Sequence, residues 1–171
     1  MRSKRCRIFT SVILAALIAA AALIGWTIGS AEGTNGRITQ WILCKPNSRV
    51  NVRRTPNKGA EEVGYLEVGD EILTDGTSRN GFIRVYGIGE YGEGWVYCGY
   101  VVSEKPAEVF ENYVCVAKNR VACRRWVSGP QVSGSPWLAN GSNVTVFYIA
   151  GEWALTSRGY IQREWLEVDP E

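Results

Sequence analysis

The sequence predicts an all-β chain of two tandem units behind an N-terminal hydrophobic helix. Three observations carry that expectation. The opening run is apolar and uncharged, short strand-like runs cut by turn residues follow it, and ordered landmarks recur at offsets of 65 to 72 residues.

The opening is "MRSKRCR" followed by "IFTSVILAALIAAAALIGWTIGSA", with no charge before Glu32. A basic flank before an apolar run reads as an export signal or a membrane anchor with its N-terminus inside. The 21 residues from 8 to 28 match one hydrocarbon core. The unbroken apolar part, Val12 to Trp26, suits a cleaved signal ending at Gly29-Ser30-Ala31. Both readings of residues 1–31 stay open, and both place the rest outside the cytoplasm, either membrane-anchored or secreted. Arg2, Lys4, Arg5 and Arg7 hold much of the positive charge, leaving about −2 beyond Ala31. Nucleic acid, which attracts clustered cations, is therefore not an expected partner.

A polar linker over 32–40 leads to the first unit, 41–103. "RVNVR", "EVGYL", "FIRVYG" and "GWVYC" carry β-branched and aromatic residues between turn signals. Asn80-Gly81 signals a hairpin, because both residues tolerate positive φ. "EKPAEVFEN", residues 104–112, has Pro106 and four charges and reads as a second linker. The strand rhythm restarts over 113–168 with "YVCVAK", "RVACRR", "NVTVFYIAG" and "EWALTS".

Aligned on each other, the units match Cys44 with Cys115, and Val50 to Arg54 with Val121 to Arg125, at an offset of 71. Gly69 matches Gly141 at 72, and Gly94-Trp95-Val96 matches Gly159-Tyr160-Ile161 at 65. The falling offset locates extra residues in the first unit around "IGEYGE". Insertions confined to turns are the mark of a tandem duplication.

Val50-Asn51-Val52-Arg53, the Thr55 to Gly59 loop, Val63-Gly64-Tyr65-Leu66, Gly69-Asp70, Asn80-Gly81-Phe82, Gly94-Trp95-Val96 and Tyr100-Val101 together resemble the bacterial SH3-type (SH3b) domain. The likeness covers 41–103, and 113–168 is a more degenerate copy. The resemblance implies two tandem small SH3-like β-barrels. It also implies targeting to cell-wall peptidoglycan or another wall polymer. A membrane-anchored adaptor holding a protein partner in an exported assembly is the alternative.

The chain contains no histidine, which removes Cys-His and Ser-His-Asp pairs and weakens any metal site. Glu61, Glu62, Glu90, Glu93 and Glu152 read as solvated turn charges. No enzymatic activity, cofactor or metal is expected. Binding falls to flat aromatic and cationic side chains. The candidates are Phe82 and Trp153 after the hairpin turns, Tyr86 and Tyr91 beside the inserted turn, Arg54 and Arg125 leading into the loops, and Trp126. Trp126 stands where a small residue is expected, so it either binds ligand or packs against the other unit. Trp95, Tyr160, Tyr100 and Trp165 read as core.

Outside the cytoplasm, four cysteines can form disulfides. A hairpin centred on Asn119 would oppose Cys115 and Cys123, which leaves Cys44 for Cys98.

Overall fold

The computed structural model describes residues 36–88, 92–134 and 137–170. The expected N-terminal helix, its span 8–28 and Tyr91 lie outside the described residues. Among the described residues no helix is long and apolar enough to cross a membrane. These residues are all-β, and their helical content is two 3₁₀ turns, Cys98–Tyr100 and Arg163–Trp165.

The first half folds as β1 (Ile38–Ile42), β2 (Val50–Arg53), β3 (Glu62–Leu66), β4 (Glu71–Arg79), β5 (Phe82–Tyr86), β6 (Glu93–Tyr97) and β7 (Val101–Val102). They form one antiparallel sheet in the order β3-β2-β6-β5-β4-β1-β7. Alternation builds it: in β2, Val50 and Val52 are buried while Asn51 and Arg53 are half-exposed. Asn80 and Gly81, at φ 52° and 78°, turn β4 into β5 as the sequence predicts. β1 begins at Ile38, opposite Thr74, so the expected linker over 32–40 gives up its last residues to the sheet.

The second half folds as β8 (Ala107–Cys115), β9 (Val121–Ala122), β10 (Trp137–Leu138), β11 (Asn143–Ala150), β12 (Trp153–Thr156), β13 (Gly159–Gln162) and β14 (Leu166–Val168). Its order, β10-β9 and then β13-β12-β11-β8-β14, repeats the first half position for position. The bridge Arg53↔Trp95 joins β2 to β6, and Arg124↔Tyr160 stands in the same place after β9. Strand pairing stays within each half among the described residues.

Three sequence expectations are corrected. Residues 107–112 are not linker but most of β8, which pairs with β11 and β14. The charges misled because Glu108 and Glu111 are exposed on a strand whose neighbours supply its hydrogen bonds. Pro106, which lacks an N–H, stands just outside the strand.

The cysteine alignment is also displaced. Ile42 accepts from Gly69 N–H and donates to the Asp70 carbonyl, at 2.8 and 3.0 Å. Cys115 does the same with Gly141 and Ser142, at 2.8 and 2.9 Å. Ile42 is thus the counterpart of Cys115, and Cys44 that of Ala117.

Finally, Cys44, Cys98, Cys115 and Cys123 are all free thiols. Cys115 pairs with Leu166, and residues 118–120 connect strands of different sheets, so no hairpin opposes Cys115 to Cys123. The Cys44 thiol turns instead to the Ser48 carbonyl at 3.5 Å, while Cys98 N–H bonds Gly81 at the hairpin turn.

Each half has its own core, around Val52, Ile72 and Val96 in the first and Cys123, Val146 and Ile161 in the second. A third core lies between them. Leu43 and Val102 from the first half meet Ala150, Leu155 and Tyr160 from the second. Tyr160 is 1% exposed and its hydroxyl donates to the Leu43 carbonyl at 2.8 Å. Burial pushes its phenol pKa far above the ordinary value, so it remains a donor.

Candidate functional site

Strand alternation that buries Gly94 and Val96 of β6 turns Trp95 and Tyr97 outward. Tyr97 then organises an aromatic floor. Phe82 meets it edge-on at 5.6 Å and 76°, Tyr100 at 6.1 Å and 65°, and Trp126 at 5.2 Å and 89°. Edge-to-face contacts of this kind suit the ring quadrupoles and hold the rings in place. The floor belongs to a groove of about 720 Å³.

One wall comes from β2, whose Asn51 and Arg53 share a face, and from Arg49 just before it. The other comes from the β2–β3 loop, with Pro56, Asn57 and Lys58. That loop is held from three sides. Arg53 donates to the Ala60 carbonyl at 2.7 Å, and Asn80 donates to the Pro56 carbonyl at 3.2 Å. Asn57 accepts from Gly59 N–H at 2.9 Å.

Trp126 enters from the other half. It is clamped between two glycines: a Cβ on Gly99 would lie 2.3 Å from the indole, and one on Gly129 would lie 2.4 Å away. No L side chain fits at that separation. Val127 N–H donates to the Gly99 carbonyl at 3.0 Å and fixes the approach. The two sequence readings of Trp126 are therefore compatible, since it packs against the first half and its ring also lines the groove.

The lining holds three cations, Arg49, Arg53 and Lys58, and no carboxylate. Arg49 pairs with Glu67 and Arg53 with Glu62, each at 3.2 Å. Lys58 makes no ion pair among the described residues and is exposed. Burial raises the Tyr100 phenol pKa, with Cys44 and Tyr97 adding to it, so its hydroxyl stays protonated at neutral pH. The arrangement offers flat apolar faces, amide donors and one uncommitted positive charge.

Of the residues expected to bind, the structure brings Phe82 and Trp126 together. Tyr86 lies elsewhere, with its hydroxyl donating to Asp75 and the Arg37 guanidinium 4.0 Å over its ring. That hydrogen bond holds the Asp75 carboxyl well below its usual range. Arg54 pairs with Glu61, and Arg125 donates to Ser133. Trp153 packs against the core between the halves. Tyr91 is outside the described residues. Tyr97, Asn51 and Lys58 were not expected, and Trp95, expected in the core, is half-exposed. A strict period of two through "EGWVY" is the signal that would have found Tyr97. A second recess of about 550 Å³, lined by Glu152, Glu164 and Glu167 with Arg163, has no aromatic surface.

No family profile matches the sequence, nor does any curated protein. Solved structures of NlpC1 and NlpC2 from Trichomonas vaginalis are similar in fold, each with a TM-score of 0.32. Identity is 16% over 82% of this chain for NlpC1 and 14% over 80% for NlpC2. The chain spans about half the length of these structures, 48% and 50%. The expectation of a chain without enzymatic activity conflicts with these matches and is withdrawn. At this TM-score the likeness carries no further argument.

Proposed function

We propose that this chain is an extracytoplasmic protein that binds cell-wall peptidoglycan, its two halves being SH3b-like barrels. The observation that supports this most is the groove at Tyr97. Its edge-packed rings, the Asn51 and Asn57 amides and the Lys58 ammonium match what glycan and peptide ligands require: stacking faces flanked by polar groups. The shared strand order of the halves supports the tandem reading. The basic, then apolar, N-terminal sequence supports export, with the chain either held at the membrane or released to the wall.

Co-sedimentation with purified sacculi tests the proposal. The chain is expected in the pellet, and Tyr97→Ala is expected to shift it to the supernatant. A wild-type chain that stays in solution with sacculi overturns the reading. Assaying the same supernatant for released wall fragments reports whether binding leads to cleavage.

A further inference from the structure

We infer that the chain carries one composite ligand site, not one per half, and that this site takes a short peptide by a free carboxylate. The inference rests on the wall-binding reading only for the source of that peptide.

The equivalent loops of the two halves argue for a single site. Arg54 N–H closes the first loop on the Glu61 carbonyl, and Arg125 N–H closes the second on Pro130, both at 2.9 Å. Arg53 reaches Ala60 and Arg124 reaches Gly129, each at 2.7 Å. Between these matched bonds the second loop is two residues shorter. It keeps no lysine, and it sends Trp126 across to the first half.

The rest of the second half has lost the same surface. By register, the counterparts of Asn51 and Tyr97 are Ala122 and Gln162. The counterpart of Phe82 is Trp153, which packs between the halves. The second half therefore lacks the cation, the amide and the central ring, and supplies instead one ring of the first half's groove.

Charge selects the ligand. The lining has three cations and no acid, and only Lys58 is uncommitted. An ammonium on a tied-down loop beside apolar rings suits a carboxylate carried on a small aliphatic peptide.

The test is calorimetric titration of the full chain with N-acetyl-trialanine, as the free acid and as its C-terminal amide. One equivalent is expected, with the amide weaker by about fivefold, the size of an exposed charge pair. Lys58→Ala is expected to bind acid and amide equally. Trp126→Phe, with its thermal midpoint checked, is expected to bind the acid severalfold more weakly, whereas neighbouring Arg125→Ala binds as wild type. Two equivalents bound, equal affinity for acid and amide, or an unaffected Lys58→Ala overturns the inference. Sedimentation with sacculi separates the two claims. Peptide binding without sedimentation supports the site and refutes the wall source. Sedimentation without peptide binding refutes the site and leaves the wall reading standing.

Discussion

The loop from Thr55 to Gly59 and the loop from Trp126 to Ser128 begin from the same pair of arginines and end on the same type of bond. One faces solvent with Lys58; the other turns its indole into a glycine-lined slot on its neighbour. A duplicated strand framework tolerates this divergence because its hydrogen-bond ladder does not depend on what the loops carry. With two residues fewer and an aromatic beside Arg125, the second loop makes a contact between the halves where the first faces solvent. The cost appears at Gly99, whose counterpart in the second half is the exposed Glu164.

The sharpest way to break the comparison is at equivalent strand positions that have acquired different surroundings. Tyr160→Ala removes a fully buried ring and leaves the Leu43 carbonyl without its donor, costing roughly 3–5 kcal/mol. Its counterpart Trp95 is half-exposed, and Trp95→Ala is expected to cost about 1–2 kcal/mol. Urea unfolding of both variants measures the gap, and equal losses would show that the core between the halves contributes little.

At the 3₁₀ turns, Gly99→Ala drives a methyl into the Trp126 ring and is expected to cost about 1–3 kcal/mol. Indole fluorescence should shift as the ring leaves its slot. Glu164→Ala, at the matching turn, is expected to change stability by less than about 0.5 kcal/mol.

The smallest contrast is between Cys44 and Ala117. Burial, with Asp70 and Glu67 adding to it, pushes the Cys44 thiol from 9.0 up to about 11. Between these values the unfolded chain has lost the proton and the folded chain retains it. Stability therefore falls as pH rises from 9 to 11, by about 1–2 kcal/mol at this residue. Denaturation midpoints across that window should fall less steeply in Cys44→Ala, which makes the first half resemble the second at this position. An unchanged slope would place the Cys44 thiol in contact with water.

Much of the fold was legible where local chemistry decides it. Asn80-Gly81 specifies its turn alone, and the insertion near "IGEYGE" falls where β5 and β6 are joined over 87–92, against only 157–158 between β12 and β13. The errors share a cause, which is that partners distant in sequence decided the outcome. The start of β8 looks like a charged linker until β11 pairs with its backbone. Cys44 seemed to match Cys115 because the connection after it is two residues longer than the one after Ala117. The candidate site was half legible for the same reason. Phe82 and Trp126 stood out one at a time, whereas the cationic loop and Asn51 gain meaning only when four chain segments converge.

The hydrogen bond from Tyr160 to Leu43 spans 117 residues, and this separation bears on how the chain reaches its native state. Until residue 160 has emerged and packed, the first half has every strand of its own sheet but an uncovered apolar face at Leu43 and Val102. Such a partly folded species is the kind that associates with copies of itself. The second half therefore acts as a late-arriving lid on the folding pathway, and a nascent chain stalled before Tyr160 should be the form most in need of a chaperone.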